Sequence, residues 1–550
     1  MMSARNFILG SAAALMAATG AQAADLPVKA KAVEYVRICS LYGAGFFFVP
    51  GTDTCIKLGG YLRVDTTFNG GAQGQPAWNG DIGQQNRYRD YYSARSRMAL
   101  TVDTRTASEY GVVRTFMQAD FQFTTLGNTT VSPVSLSTAI PNVTTAAQYG
   151  GGVVSSNAQL LDTPGGGYVA VESVFVQFAG FTFGKSVSGF ATPWNAFPGN
   201  ISSFLIGGHD TTTGVNNIQY TAQFGQGVSG TIGLDDPTVF GRTAVYNLAA
   251  PINTANTSFL NALGVQSNSY AAVRAPDLVG NIRVDQAWGL LQISAAAHEV
   301  SGSYNSLALN GLPTGLAGPN PFGPSEPSGH PDAKWGGAVM AALQIKNLPT
   351  GAGDDIKIDA TFAKGDTKNV ISTSSTSPNF AMFSGTGRAG AYQSVGFGAT
   401  TDAVWLPAFA GGSGDLKLTE AYGIRGAFNH NWNTNWSSSL FGSYSAIRYR
   451  GAVGDLTTAK GQYCSAYGIG RAVSADFSCN PDFNVSQLGL ITRWVPVKNL
   501  TFSAETIWFH LDQKFAGAAT LTGIAPKPNT VYEFKDQNAV SLQVRAQRNF

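Results

Sequence analysis

The feature that most constrains the fold of this chain is a two-residue alternation of polar and apolar side chains. In residues 94–105, which read ARSRMALTVDTR, Arg95 and Arg97 fall on one side of an extended strand, and Met98 and Leu100 fall on the other. Successive side chains of a β-strand point to opposite faces. The pattern therefore predicts a strand with one apolar face and one ionised face.

The same alternation recurs along the whole chain. Further segments with this pattern lie at residues 56–68, 113–123, 278–286, 422–428, 488–494 and 541–550. Strands of about 10 residues are long enough to cross the hydrocarbon layer of a membrane at a tilt. The chain is therefore predicted to be all-β.

Connections between these segments alternate between short and long. Short ones are expected at residues 106–109, 178–180, 226–227, 286–289, 346–353, 431–434 and 495–498. Long ones, rich in Gly, Ser, Thr and Pro, are expected at residues 69–90, 124–166, 186–215, 236–274, 301–332, 365–415, 451–482 and 512–529. Eight long and seven short connections join about sixteen strands, an even number typical of outer-membrane barrels.

The composition and the first residues are consistent with an exported membrane barrel. Charged residues make up only 12% of the 550 residues, about half the usual share. Residues 1–23 have a basic Arg5, an apolar stretch and a small-residue cleavage site, as in a secretory signal peptide. Beyond them the sequence has no run of about 18 apolar residues. A large secreted β protein remains the alternative to a transmembrane barrel.

The arginines indicate which face of the barrel meets water. Lipid offers no hydrogen bonds to the edge of a sheet, so a sheet in a membrane must close on itself. An arginine facing lipid at mid-depth costs about 2 to 4 kcal/mol, and far less on the water side. The ionised face is therefore expected to line a hydrated channel.

The cysteines form two local pairs, Cys39 with Cys55 and Cys464 with Cys479. In an oxidising compartment each pair is expected to form a disulfide, which stabilises by about 3 kcal/mol for a loop of this size. Metal binding is disfavoured because close C-x-x-C spacings are absent. Free thiols are the second alternative.

Three segments resemble a known family. Residues 43–65 (GAGFFFVPGTDTCIKLGGYLRVD), 176–190 (VQFAGFTFGKSVSGF) and 544–550 (VRAQRNF) are similar to the general-diffusion porins of rhizobia and Brucella-type alphaproteobacteria. The resemblance implies a homotrimer of sixteen-stranded barrels in the outer membrane, with the third external loop folded inward to constrict the pore. It also implies that Phe550 is the signal recognised by the barrel assembly machinery.

The chain is accordingly divided into a signal peptide at residues 1–23, a periplasmic N-terminal segment at 24–55 and a transmembrane barrel at 56–550. The constriction loop is expected at about residues 186–215. In such porins this loop is typically acidic, but here it contains a single carboxylate, Asp210, beside His209. Outer-membrane lipid, lipopolysaccharide and small hydrophilic solutes are the expected partners besides the neighbouring subunits.

The candidate site is a basic sector of the inner wall, and the loop around Phe190, Trp194, Phe197, His209 and Asp210 is expected to form the opposite side. In a closed meander the last strand lies beside the first, which brings together the inward arginines Arg63, Arg95, Arg97, Arg114 and Arg545. Fixed positive charge in a narrow mouth concentrates anions, so a mild anion preference is predicted. The alternative is that these arginines only form structural bridges with Asp65, Asp103, Asp120 or Glu172.

Other functions find little support in the sequence. The Gly-Lys-Ser triplet at residues 184–186 lacks the earlier glycine of a phosphate-binding loop. The five histidines show no metal-binding spacing. A net charge of +2 makes no case for nucleic acid. A passive channel without cofactor, metal or catalysis is therefore expected, and a substrate-specific channel or a structural or adhesive barrel without an open pore are the alternatives.

Overall fold

A closed β-barrel dominates the computed structural model. The structure describes residues 37–78, 83, 85–87, 89, 91–124, 166–194, 196–202, 204–209, 212–238, 241–249, 268–306, 326–372, 379–468, 472–521 and 527–550. The proposed signal peptide, the start of the N-terminal segment and almost all of the second long connection lie outside these residues.

Sixteen strands form the barrel, and we number them β1 to β16 along the chain. They are β1 Cys55–Phe68, β2 Tyr92–Ser108, β3 Gly111–Thr124, β4 Gly166–Phe178, β5 Phe181–Ser186, β6 Val215–Gly225, β7 Val228–Asp235, β8 Asp277–Asp285, β9 Gly289–Val300, β10 Lys334–Lys346, β11 Asp355–Lys364, β12 Glu420–Asn431, β13 Trp436–Arg448, β14 Phe483–Val497, β15 Leu500–Gln513 and β16 Gln537–Asn549.

The sheet closes because β16 pairs with β1 in antiparallel register, with Arg545 opposite Asp65. All other neighbours in the barrel are also antiparallel. The prediction of an all-β antiparallel barrel of about sixteen strands is confirmed.

The two faces of the wall have the predicted polarity. Leu62 and Val64 point outward and are 55% and 51% exposed. Asp65 and Arg95, on the other face of the same pair of strands, are buried. No helix in the described part of the chain is long and apolar enough to cross a bilayer.

The seven short connections lie at or next to the positions that the sequence predicts, and four of them have only two residues. Ala179 and Gly180 join β4 to β5, and Gln226 and Gly227 join β7 to β6, with φ between 50° and 87° at all four residues. A two-residue turn of this class requires positive φ at both central positions. A Cβ on Gly227 would lie 2.0 Å from the backbone oxygen of Asp285, so this position requires glycine.

The eight long connections also lie where they are predicted, but they carry secondary structure of their own. They contain the short strands Val245–Asn247, Phe380–Ser384, Gln393–Gly398, Ala403–Trp405, Lys417–Leu418, Ala518–Leu521 and Thr530–Phe534, the 3-10 turns Glu326–Ser328, Thr367–Asn369 and Ala408–Ala410, and the helix α1 Ala459–Gly468. The strands pair across different loops into a four-stranded and a three-stranded sheet. The fourth, sixth and eighth loops are therefore joined in one layer.

An apolar core holds this layer together. Trp78 of the first loop is fully buried, and its ring contacts those of Phe204, Phe380 and Phe509 at centroid distances of 5.5, 5.5 and 5.2 Å. Phe509 lies on an inward-facing position of β15. The expectation that the interior is wet and unpacked is thus wrong at the outer ends of the strands, because inward apolar side chains there are covered by loops.

Both predicted disulfides are present. The bridge from Cys39 to Cys55 ties an N-terminal loop, residues 37–54, to the first residue of β1. This N-terminal loop contains a 3-10 turn at Ser40–Tyr42 and a short strand at Phe47–Phe48 that pairs with β1. The bridge from Cys464 to Cys479 joins α1 to the rest of the seventh loop.

Candidate functional site: the arginine cluster and the third loop

Asp65 is the centre of a charge cluster on the inner wall. It lies on β1, opposite Arg95 of β2 on one side and Arg545 of β16 on the other. Arg95 Nε donates to Asp65 Oδ2 at 2.8 Å, and Arg545 Nε donates to Asp65 Oδ1 at 2.5 Å. The closure of the barrel therefore places two guanidinium groups on one carboxylate.

Arg63 lies two residues further along β1 on the same face. Its Nε donates to Gln547 Oε1 at 2.9 Å, and its guanidinium lies 4.2 Å from the ring centroid of Tyr61. Among the ion pairs of the described residues, none includes Arg63. Its positive charge therefore has no carboxylate in direct contact within this part of the chain.

Arg97 completes the cluster from β2, where it lies opposite Arg63. Its Nη1 lies 2.5 Å from Asp120 Oδ2 and 3.5 Å from Glu172 Oε1. The arginine cluster, Arg63, Arg95, Arg97 and Arg545, thus contacts three carboxylates. Within the described residues, the charge of Arg63 has no carboxylate partner.

Arg114 lies elsewhere in the barrel. It is opposite Arg105, eight positions along β2 from Arg97, which corresponds to about 26 Å along the strand. It pairs with Asp103 at 3.0 Å, close to the short turn between β2 and β3. The structure brings four of the five predicted arginines together and separates the fifth.

The third loop, residues 187–214 between β5 and β6, is held by inward side chains of the wall. Glu505 of β15 accepts hydrogen bonds from the backbone N–H groups of Ile201 at 2.6 Å and Ser202 at 3.1 Å. Gln487 of β14 accepts from Ile206 N at 2.8 Å and donates to Phe204 O at 2.6 Å. These contacts fix the backbone of the loop against β14 and β15.

A buried ion pair holds the far end of the third loop. Arg425 of β12 donates from Nε to Asp359 of β11 at 2.9 Å, and both side chains are fully buried. The same guanidinium donates to Leu205 O at 3.3 Å and to His209 O at 2.5 Å. The loop thus lies on the wall from β11 to β15, and the last of these strands pairs with β16, which carries Arg545 of the arginine cluster.

The side chains predicted to line the opposite side behave differently from one another. Phe190, Trp194 and Phe197 are buried in apolar clusters. His209 Nδ1 lies 2.7 Å from Asn369 Oδ1, and burial lowers the pKa of this imidazole to about 4. His209 is therefore neutral at pH 7. Asp210 lies outside the described residues.

Comparison with known proteins decides the family. The family model described as the porin subfamily matches residues 25–543. The chain belongs to this porin family. It is 29% identical over 363 residues to porin Omp2b of Brucella neotomae, a match that covers 62% of this chain and 82% of the relative. It is 30% identical over 292 residues to porin Omp2b of Brucella suis, a match that covers 52% of this chain and 64% of the relative.

A solved structure supports the same fold. The outer membrane channel DcaP of Acinetobacter baumannii superimposes with a TM-score of 0.51 at 14% sequence identity, over 92% of this chain and 99% of that chain. With the family match, this shows that the protein is an outer-membrane porin that forms a channel.

Sequence reasoning missed the residues that hold the third loop of this porin. Glu505 and Gln487 occupy inward positions that the two-residue alternation identifies, but nothing in the sequence indicates what they contact. Glu505 and Ile201 are 304 positions apart. Their partnership depends on barrel closure and on the path of the loop.

The structure also gives the Gly-Lys-Ser triplet of this porin another role. Lys185 Nζ donates to Val171 O at 2.7 Å, to Glu172 O at 3.0 Å and to Thr213 Oγ1 at 2.7 Å. It fills the gap that opens where β4 extends beyond the end of β5. Within the described residues, no group of three or more His, Cys, Asp or Glu side chains is arranged to hold a metal ion.

Proposed function

We propose that this porin passes small hydrophilic solutes by diffusion between the arginine cluster and the third loop, with a mild preference for anions. The observation that carries the proposal is the uncompensated positive charge of the cluster on one wall. A fixed charge in a narrow, low-dielectric passage raises the local concentration of counter-ions. No energy source, cofactor or catalytic step is part of the proposal.

The low carboxylate content of the third loop supports the same direction. The third loop is acidic in the porins that this chain resembles, whereas here its one carboxylate is Asp210. Because burial lowers the pKa of His209 to about 4, this side chain adds no charge at neutral pH. The wall cluster therefore makes the larger contribution to the field.

Reversal potentials in a salt gradient across a planar bilayer test this proposal. The native protein is expected to favour chloride over potassium, and the triple variant Arg63→Gln, Arg95→Gln, Arg97→Gln is expected to lose or invert that preference. The matched control is Arg388→Gln, which removes an external arginine paired with Asp476 in the loops. A clear cation preference in the native protein contradicts the proposal, and absence of conductance would favour a barrel with a closed lumen.

We further propose that the barrels assemble as a homotrimer through the side around β5. This strand has six residues, so it rises about 20 Å along its own axis and less across a tilted wall, whereas the apolar band of such barrels is about 25 Å tall. Aromatic rings lie outside it: Phe181 stacks on Phe183 at a centroid distance of 5.8 Å, and Phe181 is tilted against Tyr220 at 4.8 Å. At β5 the wall is shorter than the apolar layer of the membrane. This side of the barrel is therefore well suited to contact another subunit.

The mass of the protein in detergent, measured by light scattering, tests the assembly. We expect three copies for the native protein and a shift to monomers in Phe183→Ala, Tyr220→Ala. The control is Leu440→Ala, Leu490→Ala, which removes two outward side chains from the opposite wall. Equal behaviour of the two double variants would exclude β5 as the contact.

The N- and C-termini complete the proposal. We propose that the chain is exported by a cleaved signal peptide at residues 1–23 and that Phe550 is recognised during assembly into outer-membrane lipid. In support, Phe550 exchanges backbone hydrogen bonds with Gly60 at 3.1 and 3.3 Å and is 56% exposed. Lipopolysaccharide is the proposed contact of the external loops.

A further inference from the structure

A second group of charges lies at the end of the barrel where the short turns are, which is the periplasmic end of outer-membrane barrels. Arg105 and Arg114 both pair with Asp103, at 3.1 and 3.0 Å. The two guanidinium groups are 30% and 28% exposed. One carboxylate neutralises one of them, so this group also has an uncompensated positive charge.

A cavity of about 530 Å³ adjoins these two arginines. It has both apolar and polar lining, including Val112, Phe178, Gln177 and Thr182. Its volume lies in the range of small-molecule sites, which combine apolar surface with a few polar groups. The cavity is large enough for an organic solute and not only for an inorganic ion.

The N-terminal loop supplies one wall of this cavity. Tyr42 lines it, and the guanidinium of Arg105 lies 5.7 Å from the Tyr42 ring centroid and 4.9 Å from that of Phe46. The hydroxyl oxygen of Tyr42 is buried and has no hydrogen-bond partner among the described residues. This oxygen is shielded from the cavity, so Tyr42 offers a ligand its ring and not its hydroxyl group.

The position of the Tyr42 ring is fixed from both sides. The disulfide between Cys39 and Cys55 closes the loop that carries it, and the ring packs edge-on against Phe46 at 6.0 Å. Gln177 is also fixed, because it accepts from Arg114 Nη1 at 2.8 Å and donates to Thr182 Oγ1 at 3.1 Å. The cavity is therefore formed by ordered groups in advance of any ligand.

From the paired arginines and the cavity beside them, we propose that the periplasmic end of the porin contains a second binding site, separate from the arginine cluster, for small organic carboxylates. The carboxylate contacts Arg105, and the organic body lies along Tyr42, Val112 and Phe178. Such a site slows the exit of these anions relative to inorganic ions of similar charge.

Sided current block in a planar bilayer tests the site, with benzoate as the probe and benzamide as its neutral counterpart. Protease added to one chamber identifies the external loops and so the orientation. Benzoate from the periplasmic side is expected to interrupt the current at lower concentration than from the external side, and benzamide is expected to have no such effect. Arg105→Gln should weaken the periplasmic block about tenfold or more, because it removes a charge-assisted hydrogen bond.

Further variants distinguish binding from loss of structure. Tyr42→Ala removes the aromatic ring from the cavity wall and should weaken the block several-fold, whereas Tyr42→Phe retains the ring and should leave the block unchanged. Arg105→Lys retains a positive charge and should restore part of the block that Arg105→Gln loses. The control is Arg97→Gln, which should change ion selectivity and leave the periplasmic block unaltered. A block insensitive to Arg105→Gln and Tyr42→Ala overturns the second site.

The benzoate-block experiment tests the second site independently of the proposed anion preference. If benzoate block depends on Arg97 and not on Arg105, the probe binds at the arginine cluster, and the second site is wrong while the cluster proposal stands. If the native porin prefers cations but retains the Arg105-dependent block, the anion preference is wrong and the second site stands.

Discussion

At the scale of single residues, this barrel depends on carboxylates that each serve two partners. Asp65 joins β1 to both of its neighbours through Arg95 and Arg545, at the place where the sheet closes. It is fully buried among these charges. Its removal would leave two nearly buried guanidinium groups without their carboxylate.

We therefore expect Asp65→Asn to lower the free energy of unfolding by on the order of 3 kcal/mol. The measurement is urea unfolding of the folded barrel in detergent, followed by tryptophan fluorescence. Asp285→Asn is the matched control, because Asp285 is also on a strand and also pairs with two cations but is 39% exposed. It should cost less than about 1 kcal/mol, and equal losses would contradict this account of Asp65.

His209 makes the attachment of the third loop depend on pH. Its pKa is about 4 in the folded protein and 6.5 in its ordinary state. Burial causes the shift, and the nearby charges of Lys368 and Arg425 add to it. A released loop binds the proton more readily than the attached loop, so attachment is fully stable above pH 6.5 and weakens as the pH falls towards 4.

We expect open-channel current noise to rise between pH 6.5 and 4 as the third loop detaches more often. His209→Gln cannot take up this proton and should show a flat profile over the same range. If the current noise rises by the same amount in His209→Gln, another titratable group causes the effect.

At the scale of elements, the third loop is held to the barrel wall mainly by side chains, and a β-bridge between Gly208 and Ile371 joins it to the sixth loop. Glu505, Gln487 and Arg425 reach its backbone from three strands of the wall. Removing any one of these side chains leaves buried N–H or C=O groups of the loop without a partner. Each such group costs about 1 to 3 kcal/mol of free energy. The shape of the passage therefore depends on a few polar side chains far from the loop in sequence.

Glu505→Ala is expected to increase single-channel conductance and its variance, because Ile201 and Ser202 lose their acceptor. Glu505→Gln, which retains one acceptor oxygen, should have a smaller effect. Thr506→Ala changes the next residue of β15, which points outward, and should leave conductance unaltered. Unchanged conductance in Glu505→Ala would mean that the loop is held mainly by its apolar contacts.

At the scale of the whole molecule, the external loops form a second unit on top of the barrel. Their buried side chains, including Trp78, Tyr463 and Phe380, belong to one apolar core that also contains strand ends. The disulfide between Cys464 and Cys479 ties the helix α1 into this layer. The layer should therefore respond to loss of this bridge separately from the barrel.

Cys464→Ser, Cys479→Ser is expected to make the seventh loop sensitive to protease while the barrel stays folded. A bridge closing a loop of this size stabilises by about 3 kcal/mol, which is lost from the loop layer alone. Limited proteolysis with mass spectrometry locates the cuts. Cys39→Ser, Cys55→Ser is the control, and cleavage of the seventh loop in that variant would show that the two ends of the barrel are coupled.

Features that depend on local spacing could be predicted from the amino-acid sequence. The two-residue alternation identified the strands and both faces of the wall, and the alternation of short and long connections gave sixteen strands. The cysteines pair within 16 and 15 positions of each other, so they too were predictable.

Only the tertiary structure decided which inward residues meet. Arg97 and Arg114 lie on adjacent strands and both point inward, but the register places them eight positions apart, and register depends on turns and on closure of the sheet. The partners of the third loop and the apolar core of the external loops are likewise separated by hundreds of positions, as with Ile206 and Gln487 at 281. Contacts of this kind depend on the path of the loops in space, which a local pattern of side chains does not specify.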